Sequence, residues 1–190
     1  MLFRSIVAAK AQRDRERAFK DVMALLQMGD TFAAECGFRG YRVMIESYEL
    51  AFEALSNDLP PGFLRAKEID AILAHLHGAY HRDAFAASVA TCTGYHLKQR
   101  QASGQKFLAE ANMTRATRYC VGLLALSTKP FHKTREEFDT LTTELEELPF
   151  FSASARSFAL PFFEWYRSHA VHETRVDLAL IGLLIEEHHR

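Results

Sequence analysis

Thr134-Arg-Glu-Glu-Phe-Asp-Thr-Leu-Thr-Thr-Glu-Leu-Glu-Glu-Leu-Pro149 places Phe138, Leu141, Leu145 and Leu148 at steps of three, four and three residues, with charges and hydroxyls around them. A helix gathers that set on one face, whereas a strand scatters it over two. Thr134 followed by Glu137 has the form of a capping box, and Pro149 is a stop. The same period recurs on both sides of this stretch. Upstream, Met44, Ile45, Tyr48, Ala51, Phe52 and Leu55 predict a helix ended by Pro60-Pro61-Gly62, and Ile69, Ile72, Leu73, Leu76 and Tyr80 predict the next. Asp83 is a candidate N-cap for a helix carrying Phe85, Val89, Cys92 and Leu97, which Ser103 and Gly104 end. Phe107, Leu108, Tyr119, Leu123 and Leu124 mark another, ending near Pro130.

At the N-terminus, Phe3, Ile6 and Val7, then Phe19, Val22, Met23 and Leu26, predict a first helix that Gly29 and Asp30 close, with its charged Lys10 to Arg17 stretch in water. From Ser152 onward the chain reads as one kinked or two consecutive helices around Pro161. Its last segment, from Val176 to Ile185, is apolar on most sides, which predicts a passage through the core. Long alternation of apolar and polar residues is missing, as are Asn-Gly and Asp-Gly turns. The fold class expected is all-α, an irregular bundle of about seven to eight helices in a single domain over residues 1–190.

The totals narrow the function classes. A chain of 190 residues with 48% hydrophobic and 25% charged residues has the composition of a globular protein. The net charge of -1 supplies no overall attraction for nucleic acid or an anionic membrane. Cys36, Cys92 and Cys120 are widely spaced and read as free thiols. The first ten residues lack the apolar core of a secretory signal, and no run reaches the roughly 18 apolar residues of a span. The expected compartment is cytoplasmic, with no membrane partner.

Candidate chemistry is sparse, and no cofactor is indicated. His77 and His81 are four apart, as are Cys92 and His96, so two successive helices are able to bring four metal ligands together; the competing reading puts the histidines at the core rim and Cys92 inside. Arg167-Ser168-His169-Ala170-Val171-His172 has the Arg-polar-x-x-x-His form found in helical ribonucleases of the HEPN type. With so many arginines and histidines, such a pair arises about once by chance, so no family assignment follows. Lys98, Arg100, Lys106, Arg115 and Arg118 against Glu110 give a local +4 that is able to grip phosphates, while residues 133 to 147 carry a local -4.

Seven of the chain's 22 aromatic residues fall between positions 150 and 166. Phe158, Phe162, Phe163, Trp165 and Tyr166 cover more than one helix face, so this stretch is either buried all round or partly a partner-binding surface. The expected function is therefore a non-enzymatic binding or regulatory protein acting through protein contacts, with another protein or a second copy (a homo-oligomer) as partner. The alternatives are a metal-dependent or HEPN-like ribonuclease using the histidines, and a nucleic-acid binder using residues 98–118.

The stripe on the acidic helix generates the first prediction. Leu145→Ala should destabilise the fold by about 2–5 kcal/mol, the usual result of emptying a buried leucine site. Glu146→Ala should cost little, and equal losses in denaturant titrations would put the stripe on the wrong face.

Overall fold

The computed structural model describes residues 2–11, 14–34, 37–102, 108–149 and 152–189. Among them are eight α-helices and no strand: α1 (Leu2–Ala11), α2 (Arg15–Ala33), α3 (Phe38–Glu53), α4 (Ala66–Leu76), α5 (Arg82–Ala102), α6 (Leu108–Ser127), α7 (Phe131–Glu146) and α8 (Ala153–His188). The all-α class is as the periodicity implies. The residues group into two compact units, one of Met1–Glu35, Arg39–His81 and Val171–Arg190, the other of Cys36–Phe38 and Arg82–Ala170. Helix α8 supplies its first half to the second unit and its second half to the first.

In the first unit, α1 lies against α2 and against the π-helical turn Ala54–Asp58 that follows α3, and α2 meets α4. The charged middle of the expected first helix is a junction: α1 ends at Ala11, and the Asp14 carboxylate accepts the Arg17 amide at 3.1 Å as an N-cap. Gly29 and Asp30 do not close a helix, because α2 continues to Ala33. Gly29 faces the Tyr48 ring, where a Cβ would stand 2.5 Å from Cε2. Close approach explains the glycine. The Pro60-Pro61-Gly62 break is a β-turn, with Phe63 N–H donating to the Pro60 carbonyl at 3.0 Å and Gly62 at a φ of 77° that suits glycine. The Gly62 amide donates to Glu186 Oε1 at 2.9 Å, which ties the end of α8 to this turn.

In the second unit, Phe85, Val89, Cys120, Leu123, Phe138, Leu145, Phe163 and Tyr166 are buried. Phe138 stands 5.6 Å from Phe163 and 4.8 Å from Tyr166 between ring centroids. Leu145 is buried and Glu146 exposed, in line with the expected stripe. Helix α7 starts after Pro130, so Thr134 is no cap. It lies inside the first turn, buried, with its hydroxyl 2.9 Å from that of Tyr166. Pro161 neither ends nor divides α8, which runs unbroken for 36 residues.

Gly29→Ala generates a prediction whose sign opposes helix propensity. Alanine favours the helix by about 1 kcal/mol, yet its methyl must displace a fully buried ring, and overpacking of that kind costs about 1–3 kcal/mol. A net loss of stability is expected in urea titrations. A stabilised variant would show that the Tyr48 ring yields freely.

Candidate functional site

The second half of α8 has two unlike faces. Its inner face, His172, Val176, Leu180 and Leu183, is buried in the first unit. Its outer face exposes Val171 at 50%, Leu178 at 63%, Ile181 at 54%, Leu184 at 49% and Ile185 at 53%. The segment is therefore no core-crossing helix, as its all-round apolar sequence implies, but a surface helix with an apolar side in water. Arg175 is held to Glu49 at 2.5 Å, and Asp177 accepts the Tyr80 hydroxyl at 2.7 Å, so both flanking charges are anchored to their own unit. Beside this face lies a groove of about 670 Å³, lined by Phe52, Leu55, Leu178, Gly182 and Leu183 together with the charged Glu49, Glu53 and Arg175.

Beneath the same helix is a polar cluster drawn from four separate stretches of chain. The Tyr48 hydroxyl donates to Asp30 Oδ1 at 2.6 Å and lies 3.1 Å from His81 Nε2 and 3.3 Å from His75 Nε2. Those two ring nitrogens also sit 3.1 Å from the Asp30 oxygens, His81 at Oδ1 and His75 at Oδ2. His81 reaches this position through a φ of 50°, in the left-handed region that histidine enters more readily than most residues. His172 stacks on the His81 ring at 6.2 Å and places Nε2 2.9 Å from the Ala79 carbonyl. Burial and the Asp30 carboxylate hold the Tyr48 phenol well above its ordinary range, so it stays a donor. Burial lowers the pKa of His81, and the Asp30 charge works against that. Burial pushes His172 down to about 4, against the Ala79 hydrogen bond, so its ring is neutral near pH 7.

The residues expected from sequence to carry function are placed as follows. Of the aromatic stretch, Phe158, Phe162, Phe163 and Tyr166 are buried in the second unit, Trp165 is half-buried, and Leu160 is exposed. Lys98, Arg115 and Arg118 are exposed; Arg115 donates to the Ser152 hydroxyl, and Arg118 lies 3.9 Å from Glu144 of the acidic helix. Lys106 and the Arg100 side chain lie outside the described residues, as does Cys36. His77 is exposed, His81 turns inward to Asp30, Cys92 is half-buried and Cys120 buried, and the His96 side chain is outside the described residues. Among the described residues no three His, Cys, Asp or Glu side chains are grouped to hold a metal ion. Arg167 is paired with Glu164 at 2.7 Å, and His172 is buried.

Sequence reasoning did not bring Asp30, Tyr48 and His75 together. His75 lies two residues from His77 and so on a different helix face, and Asp30 reads locally as a helix end. The adjacent Gly29, a small residue inside a helical period, is the one local signal of the close approach. No family model, curated protein or solved structure matches the chain.

The buried histidine sets a pH dependence. His172 is near 4 folded, against about 6.5 unfolded. The unfolded chain therefore binds a proton between these values that the folded chain refuses. Its contribution is complete above about pH 6.5 and is lost as the pH falls towards 4, on the order of 3 kcal/mol in all. Urea unfolding at stepped pH should show this decline, and His172→Gln should flatten it. An equally steep decline in the variant would assign it to other groups.

Proposed function

We propose that this chain is a non-enzymatic binding or regulatory protein that works through protein contacts, with the outer face of the second half of α8 as its docking surface. One observation carries the reading: five large aliphatic side chains, Val171 to Ile185, stand in water on one side of one helix. A contiguous apolar patch costs solubility, and on a folded protein it marks a surface that another molecule covers. An exposed helix with apolar residues at three and four residue steps is a common form of such a contact.

Two further observations favour this reading over its rivals. The interior histidines engage one another, Asp30, Tyr48 and a backbone carbonyl, which suits a structural role inside the first unit. In the basic stretch, Arg118 faces the acidic α7, which weakens its pull on phosphates. The docking surface is also displaced from the aromatic stretch. Phe162, Phe163 and Tyr166 serve the interior, and the large exposed apolar residues cluster a few turns later.

The double variant Leu178→Glu with Ile181→Glu tests the reading. Both side chains are more than half exposed, so helicity and melting temperature should change little. The wild-type chain used as bait should retain a binding protein that the double variant loses. Equal retention by both baits would remove α8 from the contact.

A further inference from the structure

The outer face of α8 has a regular spacing. Val171, Thr174, Leu178, Ile181, Ile185 and His188 alternate steps of three and four, all six are exposed, and the first five carry no charge. This is the a and d spacing of a coiled-coil seam, which needs a second helix of the same kind to fill its holes. We propose that the helix covering this face is α8 of a second copy of the chain, packed antiparallel about a two-fold axis; the inference rests on the docking reading above.

The seam is self-complementary in that direction. Antiparallel alignment forms layers of Leu178 with Ile181 of the second copy, Thr174 with Ile185, and Val171 with His188. Each layer occurs twice, as a two-fold contact requires. The widest apolar layer falls at the axis and the polar His188 at the rim, the usual order of an interface. Gly182 flanks the centre, and no atom lies within 4 Å of the place its Cβ would take, so the second helix is free to approach closely there.

Charge selects the antiparallel direction over the parallel one. Parallel helices would bring Glu186 and Glu187 of both copies to one end. Antiparallel helices separate these acids, and bring Glu186 of each copy to within two residues, about 3 Å along the axis, of the other's Arg175. Arg175 and Glu186 lie on the same side of the seam; Glu49 and the Gly62 amide of their own copy hold them there, so each is fixed near its opposite charge on the second copy rather than released to form a new pair. Antiparallel helix dipoles also attract rather than repel. The seam from Val171 to His188 is about 27 Å long, short for a permanent dimer, which implies reversible association that depends on concentration.

The test uses the full chain alone in solution. Sedimentation velocity over a wide concentration range should show wild type passing from monomer to dimer, and the Leu178→Glu, Ile181→Glu variant remaining monomeric with an unchanged circular dichroism spectrum. Direction is read from mixed oxidation of Val171→Cys and His188→Cys chains. A disulfide needs Cα atoms within about 7 Å. Antiparallel packing therefore yields the mixed dimer, while 171 with 171 is separated by 17 residues, about 25 Å. Self-linked Val171→Cys dimers, or a wild-type dimer that survives the double variant, would overturn the proposal. A wild type that is monomeric throughout would overturn it too. The docking reading then still stands if bait capture depends on Leu178 and Ile181, and falls with it if capture does not.

Discussion

A phenol without contact with water organises the first unit. The Tyr48 side chain is fully buried, and an unsatisfied hydroxyl there would cost about 1–3 kcal/mol. Asp30 on α2 accepts its proton, while His75 at the end of α4 and His81 just beyond it close around the same oxygen. His172 on α8 covers the ring edge-on, with centroids 5.1 Å apart. Helices α2, α3, α4 and the second half of α8 are thereby held at one point. The geometry depends on Gly29, because any side chain there would occupy the place of the Tyr48 ring.

That arrangement decides which side of α8 faces water. With His172 on the Ala79 carbonyl and Val176, Leu180 and Leu183 buried, the helix cannot rotate without losing a hydrogen bond and an apolar row together. Arg175 on Glu49, Asp177 under Tyr80 and Glu186 on the Gly62 amide fix the same rotation from the surface. Val171, Leu178, Ile181 and Ile185 are then outward by necessity. Their exposure follows from the better satisfaction of the opposite face. A surface held in this way is available to a partner with little reordering, which lowers the entropic cost of binding.

The second unit packs much of the aromatic stretch by a different route. Phe163 and Tyr166 meet Phe138 of α7, and the Tyr166 hydroxyl meets Thr134, so these rings, with the buried Phe158 and Phe162, serve an interior. Its density signalled burial as much as recognition, since three rings on neighbouring turns pack well only when helices surround them. In the apolar run that follows, Leu178, Ile181, Leu184 and Ile185 are left in water, while Leu180 and Leu183 between them are buried.

Period and punctuation were enough to determine that this chain is helical, where the stripe of α7 lies, and that Pro60-Pro61-Gly62 is a turn, because each depends on residues within one or two turns of one another. Gly29 and Thr134 read as helix boundaries, and Pro161 as a kink or a division, for the same reason. Each has a local meaning that a distant contact or a continuous hydrogen-bond ladder overrides. The cluster around Tyr48 was illegible, since Asp30, Tyr48, His75, His81 and His172 come from positions that no spacing rule connects. The sequence by itself determined that the last helix is apolar on most of its sides. Only the tertiary structure decided which side is buried, because that choice belongs to His172 and to the polar partners of Arg175, Asp177 and Glu186, all of them far away along the chain.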